Sequence, residues 1–221
     1  MKERPILFSA PMVRAILDGR KTQTRRVVKP IGNDGGFVLL DHGKGWWPYR
    51  SDNGDSTTHT VKRGGNLYHD ETPHASPYGQ PGDRLWVRET WSVAEVCTPT
   101  TPIRQKTVYR ADFPDDYDGF GIPRWIPSIH MPRNESRITL EVAGIRVERL
   151  QDISATDAVA EGIHHDDTIP FNGPWYASPA DSQGCGEPAH AYANLWESIN
   201  GPGSWEANPW VWCVSFRRIE S

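Results

Sequence analysis

The sequence contains no run of about 18 apolar residues, which is the length that a membrane-spanning helix needs. Its start, Met-Lys-Glu-Arg-Pro, is not followed by the apolar stretch of a secretory signal. Cysteine is also scarce, since Cys97, Cys185 and Cys213 are widely separated and odd in number, which is typical of free thiols in a reducing compartment. These absences predict a cytoplasmic protein without a membrane partner.

The chain also lacks an excess of positive charge. Its 221 residues include 24 Lys and Arg against 28 Asp and Glu, which gives a formal net charge of −4. A protein that coats long nucleic acids neutralises many phosphates with basic residues, so this balance argues against such a role. The net charge is still compatible with binding of a single nucleoside or a short nucleic-acid segment, if the basic residues are concentrated at the binding site.

Glycine, proline and tryptophan are abundant. The 20 glycines and 19 prolines predict long loops. The ten tryptophans can either fill a core or stack on nucleic-acid bases, and composition does not decide between these two uses.

Apolar periodicity predicts short helices and strands along most of the chain. The predicted helices cover residues 10–18, 154–162 and 190–199, and the predicted strands cover 5–9, 21–28, 84–91, 106–111, 137–149 and 210–218. The polar segments 31–80 and 163–187 are interpreted as insertions, the first with a hairpin near 37–40. The order predicts one domain over residues 1–221 with an α+β fold, mainly β. We expect a mixed β-barrel of about six strands with short helices at its openings and long loop insertions.

The densest polar segment follows the first predicted helix and reads Gly19-Arg20-Lys21-Thr22-Gln23-Thr24-Arg25-Arg26. At the bend between helix and strand, the Lys21 amine can approach the Thr24 hydroxyl. A lysine beside a threonine forms a base and a nucleophile if burial lowers the pKa of the lysine. The alternative is a solvated basic edge strand, which the segment by itself favours.

This segment resembles the ASCH domain family, whose members are small barrels of the PUA-like superfamily. The resemblance covers residues 8–26, with the pattern Gly-Arg-Lys-Thr-x-Thr-x-Arg, and the predicted helix 154–162, Ser-Ala-Thr-Asp-Ala-Val-Ala-Glu-Gly. Residues 78–91, 129–133 and 136–142 are similar to the longer form found in many phage and prophage genomes. The resemblance implies a PUA-like barrel and a role in handling RNA or modified nucleotides.

One bacterial member of the family removes the acyl group from N4-acetylcytidine. Its functional lysine, threonine and glutamate correspond to Lys21, Thr24 and Glu161 of this chain. The resemblance implies that Thr24 attacks the acyl carbonyl and that neutral Lys21 accepts its proton. Glu161 then protonates the departing amine or holds the cytosine edge. We expect the three side chains to line one pocket.

Six further residues are candidates for substrate binding. Arginines from several segments can converge on one rim of a barrel and hold a phosphate or a base edge with two hydrogen bonds. A tryptophan beside a carboxylate can stack on the base. The candidates are Thr22, Arg26, Arg88, Glu89, Trp91 and Arg137. For any single arginine, the alternative is an ion pair with one of the many acids.

The run His164-His165-Asp166-Asp167 is the candidate for a metal site. Adjacent side chains on an extended segment point apart, and no Cys-x-x-Cys or His-x-x-x-His spacing accompanies the run. We therefore expect no metal and no cofactor.

Three functions stay open at this point: an amidohydrolase acting on N4-acylcytidine, a reader of modified bases or RNA, and a ribonuclease acting on single-stranded RNA. The combination of Lys21, Thr24 and Glu161 favours chemistry, since a reader needs no nucleophile. The net charge of −4 argues against long RNA. A small modified nucleoside is the expected partner, with RNA or single-stranded nucleic acid as the alternative.

Overall fold

The computed structural model describes residues 1–29, 37–41, 46–50, 61–63, 66–68, 76–98, 101–119, 121–166, 173–177 and 184–219. Between residues 37 and 68, and at 96–98 and 101–103, it describes the backbone alone. In chain order the strands and α-helices are β1 (Glu3–Leu7), α1 (Ala10–Leu17), β2 (Gln23–Val27), β3 (Phe37–Asp41), β4 (Trp46–Arg50), β5 (Val61–Arg63), β6 (Asn66–Tyr68), β7 (Arg84–Arg88), β8 (Trp91–Thr98), β9 (Thr101–Tyr109), β10 (Thr139–Arg149), α2 (Ala155–Ala160), β11 (His164–His165), β12 (Trp175–Tyr176), α3 (Pro188–Asn200) and β13 (Trp210–Ile219).

Five strands form the main sheet, in the order β1-β7-β10-β13-β2. Strands β1 and β7 are parallel, and the other neighbours are antiparallel. The remaining strands form two-stranded sheets: β3-β4, β5-β6, β8-β9 and β11-β12. The fold is therefore α+β and mainly β, as predicted. A barrel of about six strands is not confirmed, because no sheet among the described residues closes on itself.

Strand β13 contributes side chains to two apolar clusters, one on each face of the main sheet, since side chains alternate along a strand. Trp212, Val214 and Phe216 pack in one cluster with apolar side chains of α1, β1, β7 and β10. Val211 and Cys213 pack in a second cluster with side chains of α2 and α3. Helices α2 and α3 therefore cover the face of the sheet on which Cys213 lies.

Helix α2 begins and ends as the sequence predicts. Ser154 Oγ accepts a hydrogen bond of 3.1 Å from Asp157 N, which satisfies a free N–H of the first turn. Gly162 follows Glu161 with a φ of +106°, a conformation that glycine adopts without steric cost. A Cβ atom at Gly162 would lie 3.3 Å from Cβ of Ala15, so the end of α2 approaches α1 closely.

The structure differs from the expected elements mainly in the loops. The predicted strand 84–91 is divided between β7 and β8, because Glu89 and Thr90 belong to neither strand and Trp91 pairs with Tyr109 of β9 and with Ile126. The hairpin near 37–40 is confirmed by the pairing of β3 with β4. The segment 163–187, predicted as loop, contains the short pair β11 and β12.

The described helices are short, and the longest of them, α3, has 13 residues. None of the helices in the described ranges combines the length and the apolar character needed to cross a bilayer.

Candidate active site

The bend between α1 and β2 carries Lys21 into the interior. Gly19 has a φ of +74°, and Lys21 N donates to Ala15 O at 2.9 Å, close to the end of α1. Beyond the bend, Thr22 N donates to Ala160 O at 2.8 Å, which ties the segment to α2. The Lys21 side chain is fully buried, so the alternative of a solvated basic strand is wrong for this residue.

Lys21 and Glu161 form a buried ion pair. Lys21 Nζ donates to Glu161 Oε2 and to the Glu161 backbone oxygen, each at 2.7 Å. Burial lowers the pKa of Lys21, and the opposing attraction of Glu161 does not cancel this effect. The pair is therefore a place where a proton can move between an amine and a carboxylate.

Arg25 connects Glu161 to two further acids. Arg25 Nη1 donates to Glu161 Oε1 at 3.3 Å, and Nη2 donates to Asp157 Oδ2 at 3.2 Å and to Glu148. The Arg25 side chain is fully buried. In the sheet it lies opposite Cys213, on the face that α2 and α3 cover. One guanidinium thus holds three carboxylates in place.

Arg146 continues the network toward solvent. It donates to Glu148 Oε2 and to Asp157 Oδ2, both at 2.8 Å. Burial raises the pKa of both acids, but the arginines Arg25 and Arg146 outweigh it and hold each pKa below its ordinary value. We call the connected residues the charge ladder: Lys21, Glu161, Arg25, Glu148, Asp157 and Arg146. The charge ladder has as many cations as anions and is neutral as a whole.

Thr24 is also fully buried, but it lies on the other face of β2. It is opposite Val214, so its side chain points away from the side that Arg25 faces. Thr24 Oγ1 has no hydrogen-bond partner within the described residues, and Lys21 Nζ is consequently not hydrogen-bonded to it. The structure brings Lys21 and Glu161 together and leaves Thr24 outside their hydrogen bonds.

A cavity of about 500 Å³ opens beside the charge ladder, between the edge strands β1 and β2 and helix α3. Glu161 and Arg25 are on its wall, whereas Lys21 and Thr24 are not among its described lining residues. The expectation that all three predicted catalytic residues line one pocket is therefore right only for Glu161. Lys21 is connected to the cavity wall by its hydrogen bond to the Glu161 carboxylate.

Three of the described residues that line the cavity are aromatic, and two lining residues have a buried hydrogen-bond donor without a partner in the described ranges. Phe8, Tyr192 and Trp196 contribute rings. Trp196 Nε1 and Arg25 Nε are buried and have no hydrogen-bond partner in the described part of the chain. Burial and the nearby Glu161 carboxylate raise the pKa of Tyr192 well above its ordinary value, so its phenol stays neutral. The aromatic rings make this wall suited to a flat ligand.

Among the predicted binding residues, Arg26 lines the cavity. The side chain of Thr22 is exposed, and the backbone of Thr22 is bonded into the sheet, where Phe216 N donates to Thr22 O at 2.8 Å. Thr22 therefore shapes the bend and is not on the described wall of the cavity.

Glu89 and Arg137 form a second ion pair. Arg137 Nε and Nη2 donate to the two oxygens of Glu89 at 2.9 and 3.1 Å, and Arg137 also lies 2.7 Å from Asp112. The guanidinium is 4.0 Å from the centre of the Tyr109 ring. Burial raises the pKa of Glu89, although Arg137 acts in the opposite direction. Neither Glu89 nor Arg137 belongs to the described cavity wall, so the alternative of an ordinary ion pair fits Arg137.

Arg88 and Trp91 also have structural contacts of their own. The Arg88 guanidinium lies 5.4 Å from the centre of the Trp86 ring and donates to Ile129 O. Trp91 exchanges backbone hydrogen bonds of 3.2 and 2.7 Å with Ile126. The described wall of the cavity includes neither residue.

Sequence reasoning missed the acids and the arginine that surround Glu161, and it missed the contribution of α3. A signal was present, because Arg146 and Glu148 are charged residues two apart on one face of a mainly apolar strand. Tyr192 and Trp196 have the i, i+4 spacing of one helix face, which is compatible with a pocket wall as well as with a core.

The described residues contain no group of three His, Cys, Asp or Glu side chains that could hold a metal ion. Compared with known protein families, with curated proteins and with solved structures, the chain gives no match. The resemblance to the ASCH family therefore stays a prediction that rests on the motifs themselves.

Proposed function

We propose that this chain is an amidohydrolase that removes the N4-acyl group from acylated cytidine or a related modified nucleoside. The observation that carries the proposal is the buried Lys21–Glu161 ion pair, with Glu161 on the wall of a cavity of about 500 Å³. Cavities of this volume take ligands of nucleoside size. A buried ion pair is weak evidence for stability, so its place beside a cavity favours a chemical role.

The proton that the ion pair shares supplies both a base and an acid. Its transfer from Lys21 Nζ to Glu161 Oε2, 2.7 Å away, leaves a neutral amine and a carboxylic acid. The lowered pKa of Lys21 makes the loss of its proton easier than in water. The amine accepts the proton of the attacking hydroxyl, and Glu161 protonates N4 as the C–N bond breaks. One water molecule is consumed, and the products are cytidine and a carboxylic acid.

Thr24 is the proposed nucleophile. Its Oγ1 has no hydrogen-bond partner within the described residues, so the hydroxyl has no hydrogen bond of its own to break before attack. Attack gives an acyl ester on Thr24, which water then hydrolyses. Because Thr24 lies on the face of β2 away from Arg25 and Lys21 Nζ is bonded to Glu161, both side chains have to reorient toward the cavity before attack. A water molecule facing Glu161 is the alternative nucleophile for the same reaction.

The fold and the partner belong to the same proposal. We propose that the main sheet is the body of an ASCH-type, PUA-like barrel formed by one domain, with insertions at about 31–80 and 163–187. The motif around Lys21 and Thr24 and the helix that ends at Glu161 support this assignment. The partner would be a small modified nucleoside in the cytoplasm, and no cofactor takes part in the steps above.

The proposal is tested by incubating the purified protein with N4-acetylcytidine and separating the products by chromatography. We expect cytidine and acetate to appear in equal amounts and in multiple turnovers. Longer acyl groups on the same nucleoside test how much of the cavity the acyl group fills. Tight binding without cytidine release would favour a reader of modified bases, and cleavage of single-stranded RNA would favour a ribonuclease.

Replacing Thr24 by Val should abolish turnover and at the same time stabilise the protein. An unpaired buried hydroxyl costs about 1–3 kcal/mol, so Thr24→Val is expected to raise the free energy of unfolding by about 1–2 kcal/mol in urea denaturation. Thr24→Ser keeps a hydroxyl and should retain part of the activity. Full activity in Thr24→Val would exclude Thr24 as the nucleophile and leave water in that role.

Turnover should fall at high pH, because loss of the one proton that Lys21 and Glu161 hold between them leaves no acid to protonate N4. Burial lowers the pKa of Lys21, so the midpoint of the fall is expected below the ordinary lysine value of about 10.4. Since the folded protein binds this proton less tightly than the unfolded chain, the Lys21 contribution to the free energy of unfolding increases with pH over that window. A pH–rate profile measures the first effect, and a flat profile from neutral pH to about 10.4 would contradict it.

A further inference from the structure

Arg26 is held in a fixed orientation on the wall of the cavity. Its Nη2 donates to Leu7 O at 2.8 Å, and its Nη1 donates to Arg25 O at 3.2 Å. The guanidinium also lies 5.2 Å from the centre of the Phe8 ring. A guanidinium has five N–H donors, so these contacts orient Arg26 and leave donors for a ligand.

Unlike the cations of the charge ladder, Arg26 has no acidic partner within the described residues. The positive charge of Arg26 nevertheless acts on the ionisable groups around the cavity, among them Lys21 and Tyr192. Because the charge ladder is neutral as a whole, Arg26 leaves this cavity with one uncompensated positive charge. Half-buried beside apolar Leu7 and Val27, that charge is screened less than one in open water.

We propose that Arg26 binds the 5′-phosphate of the substrate, so that the natural substrate is an N4-acylated cytidine nucleotide and not the nucleoside. This inference rests on the proposed function, since the N4 end of the base has to reach Glu161 in the same cavity. The planar fork of an arginine matches two phosphate oxygens, which makes phosphate the anion that suits this orientation best. The volume of about 500 Å³ leaves room for a base, a sugar and a phosphate together.

A phosphate monoester can come from a free nucleotide or from the 5′ end of an RNA chain. The net charge of −4 and the single uncompensated arginine favour the free nucleotide, because an RNA chain needs several phosphates neutralised. The proposal therefore commits to a nucleoside monophosphate.

Calorimetric binding of cytidine 5′-monophosphate and of cytidine tests the phosphate contact without any turnover. The wild type should bind the monophosphate about ten- to a hundred-fold more tightly than cytidine, as expected for charge-assisted hydrogen bonds. Arg26→Gln should remove this difference, and Arg26→Lys should keep part of it. Arg149→Gln is the matched control, since Arg149 also donates to a backbone oxygen and lies over an aromatic ring, 4.4 Å from the centre of Trp210, but outside the described cavity wall.

The same variants are then compared in the hydrolysis of N4-acetylcytidine and its 5′-monophosphate. A higher kcat/KM for the monophosphate that disappears in Arg26→Gln, with thermal melting unchanged, supports the proposal. Equal binding of the two products by the wild type, or a preference that survives in Arg26→Gln, would overturn it. Tighter binding of a 5′-phosphorylated cytidine oligonucleotide than of the mononucleotide would also overturn it, in favour of an RNA end. Absence of hydrolysis with an intact phosphate preference would refute the amidohydrolase alone.

Discussion

Replacing Glu161 by Gln or Lys21 by Met should lower kcat/KM for N4-acetylcytidine by about 10²–10⁴-fold, which is the usual contribution of a general acid or base. Glu161→Gln keeps the shape of the side chain and can still accept from Arg25, but it cannot release a proton to N4. Lys21→Met keeps the volume of the side chain and removes the amine. The loss should appear mainly in kcat, because both groups act on the reaction and not on the binding of the base.

Each single variant also removes one partner of a buried charged group. We therefore expect both to unfold at a lower temperature than the wild type, and activity is compared at a temperature where circular dichroism shows the native fold. An unchanged kcat in a folded Glu161→Gln protein would remove Glu161 from the acid role. An unchanged kcat in a folded Lys21→Met protein would show that Lys21 is not the base.

Arg25→Met is expected to have the largest effect on stability, a loss of about 3–5 kcal/mol in the free energy of unfolding. The fully buried Arg25 guanidinium bonds Glu161, Asp157 and Glu148, so its removal leaves three carboxylates with fewer partners. Arg25→Lys keeps the charge but loses the planar guanidinium. Its free energy of unfolding should therefore lie between those of Arg25→Met and the wild type. Urea denaturation measures the differences.

The matched control is Arg217→Met in the same main sheet. Arg217 pairs with Glu141 at 2.8 Å, but its side chain is 71% exposed, and such pairs contribute about 0–1 kcal/mol. A loss in Arg25→Met as small as that in Arg217→Met would show that the charge ladder does not hold Glu161 in place.

Local signals in the sequence predict the elements of this fold well. Apolar spacing predicts α1, alternation predicts β10 and β13, and Ser154 with Gly162 predicts both ends of α2, which the structure confirms. Closure of the sheet cannot be predicted in the same way, because it depends on which strands meet at the edges. The division of the predicted strand 84–91 has a similar cause, since Trp91 pairs with a residue far along the chain.

The site is harder to predict from the sequence than the helices and strands, because its residues are distant in the chain. Lys21 and Glu161 are 140 positions apart, and only the resemblance to a family suggested that they belong together. Arg25 is not among the residues predicted for the site, and its burial is unexpected because a basic residue in a basic segment is most often exposed. Its three acidic partners come from β10 and from the α2 region, and only the folded chain shows that they converge.

The most direct test of the central claim is cytidine release from N4-acetylcytidine by the wild type and by the Lys21→Met/Glu161→Gln double variant. The double variant removes one charge of each sign, so it leaves no unpaired charge from this ion pair and should fold. We predict multiple turnovers by the wild type and a rate about 10²–10⁴-fold lower in the folded double variant, a loss no larger than that of the more severe single variant. Wild-type protein that binds N4-acetylcytidine without releasing cytidine, or a double variant that hydrolyses it at the wild-type rate, would contradict the claim.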